Sequence, residues 1–235
     1  MSSSYVIIFA KTKYSKTPYD QWLKGTGIRP IILTPREYAQ GYAHLENVYS
    51  FENYDQNQLV EKTALQLGKS HAAVAVFARA EADVLRAARL REILALPGQN
   101  TASATAFRNK IAMKNYLRTA NVVLPEYICL ESAYSAIQFV EKHGYPVVIK
   151  PTTESGSFGT HIIRDEADLD RYFSSPLKGE VEMETFVDGP MYHVDGLIVS
   201  GEIVFIHPFQ YVNDCLSFRN NEFSGSFTLE FSNPL

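Results

Sequence analysis

Cysteine and long apolar runs are both scarce in this sequence. Only Cys129 and Cys215 occur among 235 residues, too few for a disulfide framework or a zinc cage, so a cytoplasmic, reducing compartment is expected. No run approaches the roughly 20 apolar residues that a membrane span requires. The apolar run Tyr5–Ala10 has no basic segment before it and no small-residue cleavage site after it. We therefore expect a buried strand there, and no signal peptide or membrane contact.

A basic excess is also lacking. Lysine and arginine number 22 against 26 acidic residues, which gives a formal net charge of −4. Nucleic acids and anionic membranes both attract basic surfaces, so neither is expected as a partner. An anionic ligand would have to be held by a local group of lysines and backbone amides.

The dinucleotide fingerprint GxGxxG is absent after the first apolar run, where the sequence reads Lys11-Thr12-Lys13-Tyr14-Ser15. A dinucleotide oxidoreductase is therefore the least supported function. Residues 1–98 instead alternate short apolar runs with helical patterns, which indicates a parallel sheet flanked by helices. The predicted strands are Tyr5–Ala10, Ile28–Thr34 and Ala72–Ala78, and the predicted helices are Gln56–Ser70 and Ala82–Leu96. This pattern predicts an α/β, Rossmann-like or flavodoxin-like N-terminal domain.

Residues 99–235 have a different, α+β pattern and are predicted to form a second domain. Thr105 is expected to cap a helix that continues to Leu117, Ser132 to cap a second helix that ends at Gly144, and Asp165 to open a third. The predicted strands are Val147–Lys150, Thr160–Arg164, Glu180–Val187, Tyr192–Val199 and Glu202–Pro208. Cys129 follows Tyr127-Ile128 and is expected to be a core thiol rather than a nucleophile.

The strongest local signal is the strand ending in Lys150 and the loop Pro151–Thr160 after it, which contains two glycines and two serines. A glycine-rich loop can bring several backbone N–H groups close to phosphate oxygens. The lysine precedes the glycines, so this is not a Walker A motif. The alternative interpretation is a surface turn beside a solvated lysine.

Five segments in order make the sequence resemble the ATP-grasp superfamily of carboxylate–amine ligases, which includes carbamoyl phosphate synthetase and the L-amino acid ligases. The resemblance covers about residues 70–208. Its segments are Leu96–Gly98, Arg108–Lys114, Val147–Thr160, Met183–Pro190 and Val194–Leu197.

The resemblance implies that ATP binds to the second domain, with Mg²⁺. Lys110 and Lys150 would contact the phosphates, while Glu184 and Val187 would lie where backbone groups read the adenine edge. The mobile loop closing over the phosphates would consist of Ser155, Gly156, Ser157, Phe158 and Gly159. No catalytic side chain is required, because such enzymes act by positioning and charge neutralisation.

Two features depart from the family pattern. Met191 stands where an acidic residue often contacts the ribose, so Asp195 or His193 would have to replace it. The Mg²⁺-binding segment of the family has no counterpart here, so no metal ligand is assigned and the ATP-grasp domain is expected to be incomplete, with the ligands beyond Leu235.

The function implied is ATP-driven activation of a carboxylate as an acyl phosphate, followed by attack of an amine. A nucleotide-binding or regulatory module without catalysis is the alternative, and a plain interaction domain is a further one. The small-molecule acid and amine are not identified by the sequence, and a homodimer stays open.

Overall fold

A computed structural model describes residues 4–177, 179–213, 216, 223 and 225–230. The chain forms two compact units, an N-terminal unit of Met1–Val122 and a C-terminal unit of Val123–Leu235. Within the described ranges, no helix combines the length and apolar character needed to cross a membrane.

The N-terminal unit is built on a parallel four-stranded sheet in the order β3-β2-β1-β4. Its strands are β1 (Ser4–Phe9), β2 (Ile28–Pro35), β3 (Val48–Phe51) and β4 (Ala73–Ala78). Its helices are α1 (Tyr19–Trp22), α2 (Arg36–Tyr42), α3 (Gln58–Ser70), α4 (Val84–Ile93), α5 (Thr101–Arg108) and α6 (Lys110–Thr119). The predicted α/β class is confirmed, and α1, α2 and β3 are additions that the sequence did not predict.

Helices cover both faces of this sheet. Alternate side chains of β1 point to opposite faces, so Ile7 and Phe9 pack with α3 and α4 whereas Val6 and Ile8 pack with α1 and α2. A parallel sheet buried on both faces requires continuous apolar strands, and the run Tyr5–Ala10 has that character.

The prediction that Thr105 caps a helix is wrong. Thr105 lies inside α5, where its hydroxyl donates to the Thr101 carbonyl, and Asn100 is the N-cap. A second helix, α6, begins after Asn109, whose extended backbone interrupts the helical path. The Asn109 side chain accepts a hydrogen bond from the Ala112 N–H at 3.0 Å, which stabilises the new start.

The domain boundary predicted at residue 98 stays a prediction. Helices α5 and α6 are grouped with the N-terminal unit because α5 packs on both α4 and α6. A compact unit defined by contacts need not end where an evolutionary domain ends.

The C-terminal unit contains an antiparallel four-stranded sheet in the order β5-β8-β6-β7. Its strands are β5 (Tyr127–Cys129), β6 (Val147–Pro151), β7 (His161–Ile163) and β8 (Val181–Thr185), and its helices are α7 (Ala133–His143) and α8 (Glu166–Phe173). The predicted helix starts at Ser132 and Asp165 are confirmed, since both side chains accept N-cap hydrogen bonds. Gly144 follows α7 at a φ of 75°, as a helix stop requires.

The two faces of this sheet differ in chemistry. The face toward α7 and α8 is apolar and includes Val147, Ile149, Val181 and Met183. Alternation places the side chains of Lys150, Glu182 and Glu184 on the opposite face, which we call the polar face.

A second antiparallel sheet in this unit has the order β11-β10-β9. Its strands are β9 (Tyr192–Val199), β10 (Glu202–Tyr211) and β11 (Ser226–Thr228). Ser200 and Gly201 join β9 to β10 with φ angles of 52° and 86°, which suits a two-residue hairpin turn. Cys215 lies outside the described residues.

Candidate functional site

Lys150 lies on the polar face between two glutamates. Its ammonium Nζ is 3.5 Å from Oε1 of Glu182 and in closer contact with Oε1 of Glu184. The pairing of β6 with β8 produces this arrangement, because Lys150 stands directly opposite Glu182 and one alternation away from Glu184. The Lys150 side chain is 21% exposed, so the cation is held close to the sheet.

Glu182 is a site residue that sequence reasoning missed. It is fully buried, and its carboxylate contacts Lys150 from the central strand of the sheet. The signal was present in β8, where the apolar residues Val181 and Met183 alternate with Glu182 and Glu184.

The glycine loop begins at an anchored residue. Thr152 is fully buried, its N–H donates to the Glu180 carbonyl at 3.0 Å, and its hydroxyl donates to Glu180 Oε2 at 2.7 Å. Beyond it the backbone turns twice, with the Phe158 N–H donating to the Ser155 carbonyl and the Thr160 N–H to the Ser157 carbonyl. The loop is therefore fixed where it leaves β6, while Phe158 is 71% exposed at its tip.

Two glycines of the loop differ in what surrounds them. Gly156 and Gly159 have φ angles of 63° and 67°, in the left-handed region that disfavours other residues. A Cβ at Gly159 would lie 2.8 Å from Cγ of Pro151, whereas one at Gly156 would meet nothing within 4 Å. Gly159 thus permits the loop to pack against the end of β6.

We expect Gly159→Ala to lower the free energy of unfolding more than Gly156→Ala. Left-handed backbone alone should cost about 1 kcal/mol in either variant, and the contact with Pro151 should add about 1–2 kcal/mol in Gly159→Ala. Urea unfolding followed by circular dichroism measures both. Equal losses would contradict the packing of Gly159 on Pro151.

Glu184 and Val187 occupy different environments. Glu184 lies in β8 between β5 and β6, so its backbone is part of the sheet, and its side chain contacts Lys150. The backbone N–H groups of the two residues after Glu184 donate to the carbonyls of Glu126 and Pro146. Val187 lies beyond the end of β8 and is 70% exposed. The backbone beyond the strand is therefore better placed than that of Glu184 to meet a ligand.

Lys110 lies in the N-terminal unit, as the first residue of α6, where it is half-buried. Lys114, one turn later on the same helix, is only 4% exposed. A buried lysine is uncommon unless its charge is compensated. Both lysines of this helix are thus held close to the protein.

A cavity of about 540 Å³ opens on the helical side of the C-terminal sheet, away from the polar face. The glycine loop contributes Glu154, Phe158 and Gly159 to its lining, and α8 contributes Asp168 and Arg171. Asp168 and Arg171 neutralise each other at 2.6 Å. The loop residues therefore border open space on the helical side of the sheet.

Cys129 is half-buried and stands opposite Glu182 in the pairing of β5 with β8, so the prediction of a core thiol is wrong. Burial raises the pKa of the Cys129 thiol, and the carboxylates of Glu180, Glu131 and Glu182 raise it further. The thiol therefore stays protonated at neutral pH, which is consistent with the prediction that it is not a nucleophile.

Across the described ranges of the chain, no group of three or more histidine, cysteine, aspartate or glutamate side chains is arranged to hold a metal ion. The Glu182–Glu184 pair is instead occupied by the ammonium of Lys150. The described side chains therefore supply no Mg²⁺ site.

Comparison with known proteins identifies the fold. Residues 109–192 match the ATP binding domain of the carbamoyl-phosphate synthase L chain. An L-amino acid ligase from Bacillus licheniformis has a solved structure that superposes with a TM-score of 0.68 at 17% identity, covering 91% of this chain and 52% of that one. The chain has an ATP-grasp fold. The resemblance inferred from the five sequence segments is confirmed.

Two curated proteins that are similar to this chain are ligases. The L-arginine-specific L-amino acid ligase of Bacillus subtilis is 25% identical over 213 residues, which are 87% of this chain and 51% of that protein. The D-alanine–D-alanine ligase of Desulforudis audaxviator is 34% identical over 108 residues, which are 43% of this chain and 35% of that protein. The chain therefore spans about half the length, or less, of these relatives.

Proposed function

We propose that this ATP-grasp protein takes part in ATP-dependent joining of a carboxylate to an amine. The observation that carries the proposal is the position of Lys150 on the polar face, next to the glycine loop, inside the segment that matches an ATP-binding domain. The curated ligases among its relatives support the reaction class.

The reaction has two steps. A carboxylate oxygen of the acid attacks the γ-phosphorus of ATP, the bond to the β-phosphate oxygen breaks, and ADP leaves behind an acyl phosphate. The amine nitrogen then attacks the acyl carbon, phosphate departs with the bonding electrons, and the amine proton is lost to solvent or a base. The protein has to position the partners, neutralise phosphate charge and exclude water.

The proposed roles follow the positions of the side chains. Lys150 would donate to phosphate oxygens, with Glu182 and Glu184 holding its ammonium at the polar face before the nucleotide arrives. A phosphate must compete with two carboxylates for this cation, so its binding requires the ammonium to turn from at least one of them. Lys110 is proposed as a second phosphate contact.

Ser155, Gly156, Ser157, Phe158 and Gly159 are proposed as the loop that closes over the phosphates. Closure would protect the acyl phosphate from hydrolysis. The backbone at Val187, beyond the end of β8, would read the adenine edge together with the segment that begins at Glu184. Met191 cannot accept a strong hydrogen bond from a ribose hydroxyl, so His193 or Asp195 is proposed for that contact.

Mg²⁺ would offset the phosphate charge in the ligase reaction. The described residues do not fit it, because the acidic pair on the polar face already binds Lys150. We propose that the substrates are a small-molecule carboxylate and a small-molecule amine. A homodimer is also proposed, but no interface is assigned to it.

Calorimetric titration of ATP tests the proposal. We expect saturable binding to the chain and a loss of affinity of about 10- to 100-fold in Lys150→Ala, since a charge-assisted hydrogen bond contributes about 1.5–3 kcal/mol. Lys110→Ala should also weaken binding. Lys142→Ala, which removes an exposed lysine from α7 in the same unit, is the matched control and should bind as the parent does.

Circular dichroism establishes that each variant is folded before its titration. Equal ATP affinity in Lys150→Ala and the parent would contradict the assignment of Lys150. Binding of ATP by the full-length protein without ADP formation, tested with amino acid pairs, would favour a regulatory nucleotide-binding module over a ligase.

A further inference from the structure

A crevice of about 240 Å³ opens at the carboxyl edge of the parallel sheet in the N-terminal unit. Strands β1 and β4 are parallel neighbours, with Phe9 beside Ala78, so both chains leave the sheet at the same edge. Lys11 and Thr12 follow β1, and Arg79 follows β4, and all three line the crevice.

The topology of the sheet explains why space exists there. In the order β3-β2-β1-β4, the chain first moves from β1 toward β3 and later returns to place β4 on the other side of β1. The helix after β1 packs on one face of the sheet and the helix after β4 packs on the other. Ligands of open α/β sheets bind at such a switch point, where the outgoing chains separate.

The charge of the crevice is one-sided. Lys11, Lys16 and Arg79 line it together with Phe9, Thr12, Tyr19 and Ala80, and no acidic residue is among them. Lys11 is neutralised by Asp55 at 2.5 Å. In the described part of the chain, neither Lys16 nor Arg79 forms an ion pair, so two positive charges face the opening without compensation.

Tyr19 adds a buried donor to the same crevice. Tyr19 is only 3% exposed, and its hydroxyl forms no hydrogen bond of normal geometry with any of the described residues. The Thr17 hydroxyl is hydrogen-bonded to the Tyr42 hydroxyl at 2.9 Å, and it is also near enough to the Tyr19 hydroxyl to oppose part of the rise in the pKa of Tyr19. Burial raises the pKa of Tyr19, so its hydroxyl keeps its proton at neutral pH. A buried hydroxyl without a partner is costly unless a ligand or water completes it.

We propose that this crevice binds a small anion through Arg79, Lys16 and the Tyr19 hydroxyl. The guanidinium of Arg79 offers two parallel donors to a carboxylate or a phosphate, the ammonium of Lys16 adds a point charge, and Tyr19 donates from the buried end. The site belongs to the N-terminal unit and does not depend on the ATP site proposed for the polar face of the other unit.

The single tryptophan of the chain is a natural reporter for this site. Trp22 contacts Tyr19 edge-to-face, with ring centroids 5.4 Å apart. Inorganic phosphate and succinate are titrated separately into the full chain, with Trp22 fluorescence and calorimetry as parallel measurements. The two probes distinguish a phosphate ligand from a carboxylate ligand, and sodium chloride at equal ionic strength gives the baseline.

We expect saturable binding of at least one probe and a loss of affinity of about ten-fold or more in Arg79→Gln. Tyr19→Phe removes only the hydroxyl and should weaken binding about three- to ten-fold. Arg29→Gln, which removes one exposed cation at the opposite edge of the same sheet, is the matched control and should leave binding unchanged.

Lys150→Ala separates this site from the proposed ATP site. Anion binding that persists in Lys150→Ala and fails in Arg79→Gln supports the crevice. Anion binding that fails in Lys150→Ala and persists in Arg79→Gln would assign the anion to the polar face and overturn the proposal. Absence of calorimetric binding for both probes, or equal affinities in Arg79→Gln and Arg29→Gln, would overturn it as well.

Discussion

Lys150→Met is expected to lower the free energy of unfolding of the C-terminal unit by about 3 kcal/mol, since it removes the cationic member of a buried ion-pair cluster. Glu182 is fully buried and the side chain of Glu184 is 11% exposed, so neither carboxylate is well hydrated without the ammonium between them. Methionine keeps most of the volume of lysine, and the loss would therefore report charge rather than packing. Urea unfolding followed by circular dichroism measures it.

A double-mutant cycle gives this prediction its control. Glu184→Gln keeps the shape of the side chain and removes one of the two negative charges. If Lys150 mainly compensates these carboxylates, Lys150→Met combined with Glu184→Gln should lose at least about 1 kcal/mol less than the sum of the single variants. Additive losses would contradict the charge cluster, and Lys142→Met on the exposed face of α7 should change stability by less than about 0.5 kcal/mol.

The stability test also separates two explanations for a loss of ATP binding in Lys150 variants. A variant that is folded at the titration temperature and binds no ATP has lost a ligand contact. A variant whose unfolding transition overlaps that temperature has lost the fold instead. The double variant is expected to recover stability without recovering ATP affinity, because the ammonium is still missing.

The elements predicted well from sequence are those whose signal is local. Ser132, Gly144 and Asp165 fix the ends of their helices through their own hydrogen bonds or backbone freedom. Short apolar runs likewise identify β1, β2 and β4. Strand β3 was missed because Val48–Phe51 is a four-residue edge strand that is only partly buried and shows little apolar contrast. Asn109 was missed because one residue both interrupts α5 and starts α6.

The contacts around Lys150 depend on strand register, which is a tertiary property. The alternation in β8 indicates that Glu182 and Glu184 share a face, but the sequence does not show which residue of β6 stands opposite them. Only the pairing of Lys150 with Glu182 shows that this lysine lies between two carboxylates and is not a solvated side chain. The crevice at Arg79 was missed for the same reason, because β1 and β4 are distant in sequence and become neighbours only in the folded sheet.

Arg86→Met is expected to lower the free energy of unfolding of the N-terminal unit by about 3–5 kcal/mol, since it removes one member of a buried ion pair. Arg86 is 6% exposed and donates to Asp83 at 2.6 Å, and Asp83 is fully buried at the start of α4. The guanidinium also donates to the carbonyls of Tyr54 and Asp55 and lies 5.1 Å from the centre of the Tyr54 ring. One side chain thus joins the start of α4 to the segment before α3.

The fluorescence of Trp22 follows this loss, because the tryptophan lies in the N-terminal unit. Arg89→Met, one turn of α4 away and 53% exposed, is the control, and its free energy of unfolding should be close to that of the parent.

Asp83→Asn combined with Arg86→Met should recover part of the loss, because burial raises the pKa of Asp83 and its charged form is disfavoured once Arg86 is gone. In the single Arg86→Met variant the pKa of Asp83 lies above its value in the unfolded chain, so this variant loses stability as the carboxyl ionises with rising pH. The stability recovered by adding Asp83→Asn should therefore grow as pH rises. Equal unfolding midpoints for Arg86→Met and Arg89→Met would show that α4 is held without the buried arginine.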